Sequence, residues 1–474
     1  MTVAQLAWQA FSFGYGLANL VFMVGIATFR DGAFTKRPSE SEKKALSSAQ
    51  KRYWSLTGQP LHGFMHKFFT LRNGTKLHYV LKPGAPNADA STVKNVAICI
   101  HGFPDSFLLW RKLLTAGYLD EHILIAVDLP GYGGSDNLPK YGANEILETM
   151  TEFILGMREQ YLHEEAKLVV VSHDWGGVIA TRLASEASQL ADRFVIASAV
   201  IPQNWTSNAS TKTASAKQML HTYFRRPLSI GLLRNALSTL KPVFSQVGRS
   251  FYVFIFNLPY PLSTFFVTFG DYWLLKVLHN VAAGLLKLDG QWIRKLNEEE
   301  ATDLLVSSTG PGIAQLEEGK LRYPEGVNKR IDDYGMSEKI RIYREGFLLG
   351  KWEKSLETVV ALSEIPASAS RQGSASSGAG LFDEGPSGAL KAPATVIYGK
   401  FDAAFDKRLA LEGISDYLSK ASQVVLLEAG HWVPVEEEGS VALEKIVEWA
   451  LGDEGKPLRG VVEEIPNAKM VVEK

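Results

Sequence analysis

Residues 167–178, Lys-Leu-Val-Val-Val-Ser-His-Asp-Trp-Gly-Gly-Val, limit what this chain can fold into more than any other stretch. A β-branched run stops abruptly, a small-residue cluster follows, and an apolar helical pattern resumes over residues 178–184. Strand, tight turn and helix in that order lift the apex residue, Asp174, above the edge of a parallel sheet. The next backbone N–H groups then point at the same place. A plain N-cap aspartate opening the helix would leave the same local trace, so the rest of the chain must decide. A carboxylate at such an apex is ionised at neutral pH and needs no base to become a nucleophile. An ester formed on it, however, needs an activated water to be released.

Strands and helices alternate around this turn. Strand-like runs at 66–71 and 76–81 are joined by the hairpin signal Arg72-Asn73-Gly74-Thr75. Further strands are expected at 95–100, 122–127, 193–200, 395–399 and 423–427, with helices at 107–116 and 146–161. Such alternation predicts an α/β fold with a mostly parallel sheet covered on both faces. The rhythm breaks between Pro202 and Pro393, which marks an insertion. Residues 251–288 within it are apolar and aromatic, as a helical lid over an apolar pocket requires. The expected layout is a membrane anchor over 1–30, a polar linker over 31–60 and a core built from 61–202 and 393–453. A lid over 203–365, a flexible Ser/Gly-rich loop over 366–392 and a C-terminal tail over 454–474 complete it.

Residues 1–29 carry no charged side chain, and a spanning helix needs roughly 20 apolar residues. A cleaved signal peptide would have a basic start and a small-residue cleavage site, and neither stands here. An in-plane amphipathic helix is the second reading. Arg30, Lys36, Arg37, Lys43, Lys44, Lys51 and Arg52 follow the segment, so the positive-inside rule predicts that the C-terminal bulk faces the cytosol. The anchor itself adds no site residue. Sequons at Asn73, Asn204 and Asn208 would matter only in the opposite orientation. With 50 basic and 51 acidic side chains, net charge gives no case for nucleic acid as a partner. The single cysteine, Cys99, sits in an apolar run and reads as a core filler. No His and Cys spacing suits a metal, and nothing sets an oligomeric state.

Ligands of such sheets bind beyond the carboxyl ends of the strands. Gly399-Lys400-Phe401-Asp402 follows one late strand and Gly430-His431-Trp432 the next. His431 is then the candidate base and Asp402 the carboxylate that orients it, in the chain order nucleophile, acid, histidine. Asp406 is a rival acid further from its strand end. The strand end His101-Gly102-Phe103-Pro104 leaves the Phe103 N–H free to turn inwards. Paired with the N–H of Trp175 it would form an oxyanion hole.

Taken together, residues 101–105, 128–135, 172–177 and 430–432 resemble the epoxide hydrolases of the α/β-hydrolase fold, here in a membrane-anchored form. In that family two lid tyrosines hold the epoxide oxygen. Tyr252, in Tyr-Val-Phe-Ile-Phe-Asn-Leu-Pro, matches the first segment with Asn257 in place of Gln. Tyr343, in Ile-Tyr-Arg, matches the second with Ile342 in place of Trp. Tyr223 and Tyr260 are the alternatives. The resemblance implies conversion of lipophilic epoxides to vicinal diols through an ester on Asp174, with no cofactor and no metal. The expected partners are a small epoxide and membrane lipid, in a single-pass protein of the endoplasmic reticulum whose catalytic domain faces the cytosol. A haloalkane or haloacid dehalogenase on the same scaffold is the alternative, since it also uses an aspartate nucleophile but needs no tyrosine pair. A non-catalytic membrane scaffold is the third reading.

Overall fold

The computed structural model describes residues 2–84, 94–283, 296–366, 385–452 and 456–474. Helix α1 (Val3–Gly25) opens with a capping box, in which Thr2 and Gln5 exchange hydrogen bonds, and runs on as a π-helical turn, Ile26–Arg30. It is long and apolar enough to cross a membrane. Helix α2 (Glu40–Trp54) occupies the segment expected to be a polar linker. Its apolar stripe is narrow, with Leu46, Ala49 and Tyr53 one turn apart and Trp54 at the end, and the polar composition masks it. Trp54 is fully buried, and its indole N–H donates to the Val306 carbonyl at 3.3 Å.

β1 (Met65–Thr70) and β2 (Lys76–Lys82) form the expected antiparallel hairpin. Then come β3 (Val96–Ile100), β4 (Ile123–Val127), α3 (Ala143–Tyr161), β5 (Leu168–His173), α4 (Trp175–Glu186) and β6 (Arg193–Ala197). The expected helix at 107–116 is a 3₁₀ turn, Phe107–Trp110, followed by a single α turn, Arg111–Leu114. Between β6 and the next strand lie α5 (Pro202–Arg225), α6 (Ile230–Arg249), α7 (Phe251–Phe256), α8 (Tyr260–Ala282), α9 (Glu298–Thr309) and shorter helical turns. The lid expectations for 284–288, and most of the loop expected at 366–392, lie outside the described residues. The chain re-enters the sheet with β7 (Ala394–Gly399) and β8 (Gln423–Leu427), then α10 (Glu437–Leu451) and α11 (Leu458–Glu463).

The segment expected to be a tail ends in β9 (Ala468–Glu473), which pairs antiparallel with β8. Lys469, Val471 and Glu473 are exposed and alternate with half-buried neighbours; with Val471 on the exposed face the polar and apolar residues do not alternate cleanly, and the strand reads weakly in sequence. The sheet has nine strands in the order β1-β2-β4-β3-β5-β6-β7-β8-β9, parallel from β4 through β8. It is the α/β-hydrolase fold expected from sequence: a mostly parallel sheet with a helical insertion.

Alternate residues of the central strands feed two cores. Ile98, Ile100 and Val170 pack with α3 and α4, while Ala97, Cys99, Val169 and Val171 pack with α10 and the Phe107–Leu114 segment. Full burial of such side chains stabilises the fold by roughly 1.5–3 kcal/mol each. Cys99 is one of these core residues, as expected.

The insertion and α1 form one packed unit. Gly16 of α1 lies so close to α7 that a Cβ there would sit 2.6 Å from the Phe254 carbonyl oxygen. The Phe254 ring is surrounded by Trp8, Phe11 and Tyr15 at 4.9–6.1 Å between centroids. Further along, Ala33 meets Gly270, in a break of α8 where φ is positive at Gly270, Asp271 and Tyr272. A Cβ at Gly270 would fall 2.7 Å from that of Ala33, so the contact requires glycine.

Candidate active site

β5 delivers Asp174 to the turn before α4, and the turn is strained. Asp174 has φ 52° and ψ −120°, a region that non-glycine residues occupy at a cost of order 1–3 kcal/mol. Its small neighbours make the approach possible. A Cβ on Gly176 would meet the Ile100 carbonyl oxygen at 2.2 Å, and one on Gly177 would meet the Ala199 Cβ at 2.4 Å. Helix α4 therefore starts directly over the carbonyl end of β3 and beside the residues that follow β6, and Trp175 is its first residue, whose N–H has no partner within the helix. Gly102 carries the same constraint, since a Cβ there would lie 2.2 Å from Asp174 Oδ1.

Three side chains from three strand ends converge. The His431 Nε2 lies 3.4 Å from Asp174 Oδ2, and its Nδ1 lies 2.9 Å from Asp402 Oδ2. All three residues are buried. The other oxygen of Asp402 accepts the N–H groups of Ala404 and Phe405 at 2.7 and 2.9 Å, which fixes the carboxylate. Asp406 turns elsewhere: it caps the next helical turn and pairs with the Arg408 guanidinium at 2.5 Å. The Phe103 N–H donates to Asp174 Oδ1 at 2.8 Å, so that oxygen is already held and Oδ2 is the one facing His431.

The electrostatics follow from this arrangement. Burial alone would lower the His431 pKa, but Asp402 and Asp174 outweigh it and raise the imidazole to about 10. Burial likewise works to raise Asp174, yet the hydrogen bond and charge of His431, with the Phe103 N–H, hold it below the usual carboxylate range. The resting centre is an imidazolium between two carboxylates.

Tyr252 comes from α7, and Tyr343 from the 3₁₀ turn Ile340–Tyr343. The Tyr343 ring stands perpendicular to Trp175 and to Phe103, at 4.8 and 5.5 Å between centroids, and Tyr252 packs on it at 5.9 Å. Tyr343 thus touches both Trp175 and Phe103, the two residues expected from sequence to form the oxyanion hole. Burial first, then nearby acidic groups, push both phenols above their ordinary range, so both keep their O–H as donors at neutral pH. Arg344 ties the two segments together by donating to the carbonyls of Phe256 and Leu258. The alternative tyrosines lie apart: Tyr223 sits beside Phe224 near the end of α5, and the exposed Tyr260 ring lies under Arg344 at 4.2 Å.

Several supporting residues were not singled out from sequence. Glu436, at the start of α10, accepts the N–H groups of Gly430 and Trp432 at 2.6 and 3.1 Å and so clamps the loop on both sides of His431. Burial pushes its carboxyl up to about 7. His173 donates to the His431 carbonyl at 2.9 Å. The Arg249 guanidinium donates to the Asp402 carbonyl. Asp105, pushed up to about 6 by burial, accepts the Trp432 indole N–H at 3.1 Å. Asp105 and His173 lie inside the motifs 101–105 and 172–177 without a role of their own there, and Glu436 reads in sequence only as an acid at a helix start. The segment 128–135 is a brace rather than part of the centre. Its Asp128 accepts the N–H groups of Phe107 and Gly134 and pairs with His78 at 2.8 Å.

A cavity of about 1200 Å³ lies elsewhere, between α2, α8 and α9, bordered by Glu42, Tyr272, His279 and Leu305, and none of its lining residues belongs to this centre. Among the described residues no group of three or more His, Cys, Asp or Glu side chains is arranged to hold a metal.

Residues 95–228 match the family described as alpha/beta hydrolase fold. The chain is 31% identical over 139 residues to "Epoxide hydrolase 2" of Caenorhabditis elegans, covering 29% of this chain and 35% of that protein. It is 28% identical over 223 residues to "Epoxide hydrolase 3" of Mus musculus, covering 44% and 48%. The matched stretch thus spans between about a third and a half of these curated relatives. A solved structure, the Bacillus megaterium epoxide hydrolase in complex with an inhibitor, superposes with a TM-score of 0.46 at 18% identity, covering 81% of this chain and 99% of that chain. The chain carries an α/β-hydrolase domain, and its curated relatives include epoxide hydrolases.

Proposed function

We propose that the protein is an epoxide hydrolase that opens lipophilic epoxides through a covalent ester on Asp174. The observation that carries this reading is the placement of Asp174 between His431 and the Phe103 N–H, with two protonated phenols packed over the same point. Residues 203–365 are taken as the lid.

Asp174 Oδ2 attacks an epoxide carbon in line, and the C–O bond of the ring breaks. Negative charge appears on the leaving oxygen, where the O–H groups of Tyr252 and Tyr343 donate as it develops. Alkylation discharges Asp174, so His431 loses one of the two carboxylates that raise its pKa, and its proton is released through the phenol O–H to the leaving alkoxide, which becomes the first hydroxyl of the diol. Held by Asp402, the neutral imidazole then takes a proton from water, which attacks the Asp174 carbonyl carbon. Oδ1, already on the Phe103 N–H, carries the oxyanion; its collapse breaks the ester bond, the departing alkoxide takes the proton of the new Asp174 carboxyl, and the diol leaves with Asp174 a carboxylate and His431 protonated again. Water and epoxide account for every atom of the product. The dehalogenase alternative is not favoured, since its chemistry leaves the tyrosine pair without a task.

The test is intact-protein mass spectrometry of His431→Gln after exposure to a small aliphatic epoxide. The ester should form and persist, raising the mass by one substrate, while Asp174→Ala gains nothing. Absence of an adduct in His431→Gln, together with turnover by Asp174→Ala, would remove the covalent reading. The same proposal places α1 in the endoplasmic reticulum membrane with the catalytic side in the cytosol, as the basic residues after it imply. Added protease should then digest the catalytic domain in sealed microsomes.

A further inference from the structure

From Arg193 to Gly270 the sequence contains no aspartate or glutamate, although the whole chain holds 51 acidic residues against 50 basic ones. Over the same stretch Lys217, Arg225, Arg226, Arg234 and Lys241 are all exposed, and among the described residues none of them pairs with a carboxylate. Charge is therefore segregated onto the α5–α6 hairpin.

The geometry of α6 sharpens this. Ile230, Arg234, Leu237, Lys241 and Phe244 recur at intervals of four, three, four and three, which places them in one line along the helix. All five are exposed; the three apolar members are 68%, 53% and 61% open to solvent. The opposite side buries Ala236, Pro242 and Gln246. The hairpin tip adds Phe224 at 77% and Leu228 at 96%, beside Arg225 and Arg226. An exposed stripe that alternates large apolar and cationic side chains matches the boundary between anionic headgroups and acyl chains. There the apolar groups insert and the cations reach back to phosphate.

We infer that the α5–α6 hairpin is a docking surface for an anionic lipid bilayer, lying on it through the α6 stripe. This goes beyond the epoxide reading and does not depend on it. The Tyr15 hydroxyl contacts the Val247 carbonyl near the end of α6, so the stripe belongs to the same unit as α1. A membrane that receives α1 therefore has the lid beside it.

Cys99 is buried, so an introduced surface cysteine can be labelled selectively. The full chain carrying Leu237→Cys with an environment-sensitive fluorophore is reconstituted into phosphatidylcholine vesicles with or without phosphatidylserine. Lys420→Cys, ahead of the amino end of β8, serves as the wet reference. The label at position 237 should move into an apolar environment on the phosphatidylserine vesicles and return towards water as salt rises from about 0.1 to about 0.5 M. Each cation near such a surface contributes about five-fold, so adding Arg234→Ser with Lys241→Ser should lower the lipid-facing population roughly twenty-five-fold. Identical spectra on both vesicle types would overturn a charge-driven docking. A label as wet as the reference on every vesicle would overturn the bilayer as occupant and leave an acidic protein segment in its place.

Discussion

The imidazole of His431 bridges two carboxylates, with Asp402 at 2.9 Å on Nδ1 and Asp174 at 3.4 Å on Nε2. This relationship separates the two chemical steps by pH. Ester formation needs Asp174 ionised and the phenols protonated, and both hold well to either side of neutrality. Ester hydrolysis needs a neutral His431 after Asp174 has been discharged. Rapid-mixing measurements should therefore find alkylation flat across about pH 6–8 and hydrolysis rising with pH through the ordinary histidine range, so that the ester accumulates most in mild acid. A hydrolysis rate independent of pH would exclude His431 as the base.

The same pair links pH to stability. The folded-state pKa of His431, about 10, lies above its unfolded value near 6.5. Its contribution is thus fully present below about pH 6.5 and is lost as pH rises through about 10. Denaturant titrations of the wild type should show stability falling over that window. His431→Gln should show a shallower fall above about pH 7, beyond the range in which Glu436, whose raised carboxyl acts in the same sense, has ionised.

Tyr252 and Tyr343 pack face to edge, so a Phe at either position keeps the ring contacts and deletes only an O–H. Loss of one donor to a developing oxyanion costs about 10²–10³ in rate. Each single substitution is expected to slow alkylation to that extent, and the double substitution nearly to abolish it, with thermal stability little changed. Wild-type alkylation in the double variant would mean that other groups hold the epoxide oxygen.

Gly102 offers a test that leaves every reacting group in place. In Gly102→Ala the new methyl group would sit 2.2 Å from Asp174 Oδ1, so the carboxylate or the 102–103 backbone must shift. Overpacking of this kind costs typically 1–3 kcal/mol. The displacement should also break the Phe103 hydrogen bond. Calorimetry should find a folded, somewhat weakened protein, and the adduct assay a large loss of alkylation.

What could be read from sequence was what strand order and strand ends control. Asp174, Asp402 and His431 lie far apart in the chain, yet each follows a strand of one parallel sheet, and parallel strands bring their carboxyl ends to one edge. Their convergence therefore follows from the alternation alone. Tyr252 and Tyr343 came only from resemblance, because helix-on-helix placement in an insertion has no short-range signal. Glu436 was passed over for a different reason: its bonds go to backbone N–H groups, and any acid at a helix start looks the same in sequence. α2 was misread because it hides a narrow apolar side behind a polar composition, and β9 because Val471 on its exposed face breaks the alternation that marks a strand.

The packing of α1 was the largest omission, and it changes one expectation. From sequence, the anchor adds no site residue, so its removal should leave catalysis untouched. In the structure Gly16 abuts the Phe254 carbonyl, and Trp8, Phe11 and Tyr15 enclose the Phe254 ring on the short helix that also carries Tyr252. Deleting residues 1–30 removes that support but none of the sheet, so the core should still fold. With α7 less constrained, the Tyr252 hydroxyl loses its placement, and a misplacement of about 1 Å can cost roughly a hundredfold in rate. Single-turnover alkylation by a soluble epoxide should slow by about ten- to a hundredfold in the truncated enzyme. Gly16→Leu in the full chain should reproduce part of the loss by wedging α1 away from α7. Equal alkylation rates in the truncated and full-length enzymes would show that α7 holds Tyr252 without help from α1.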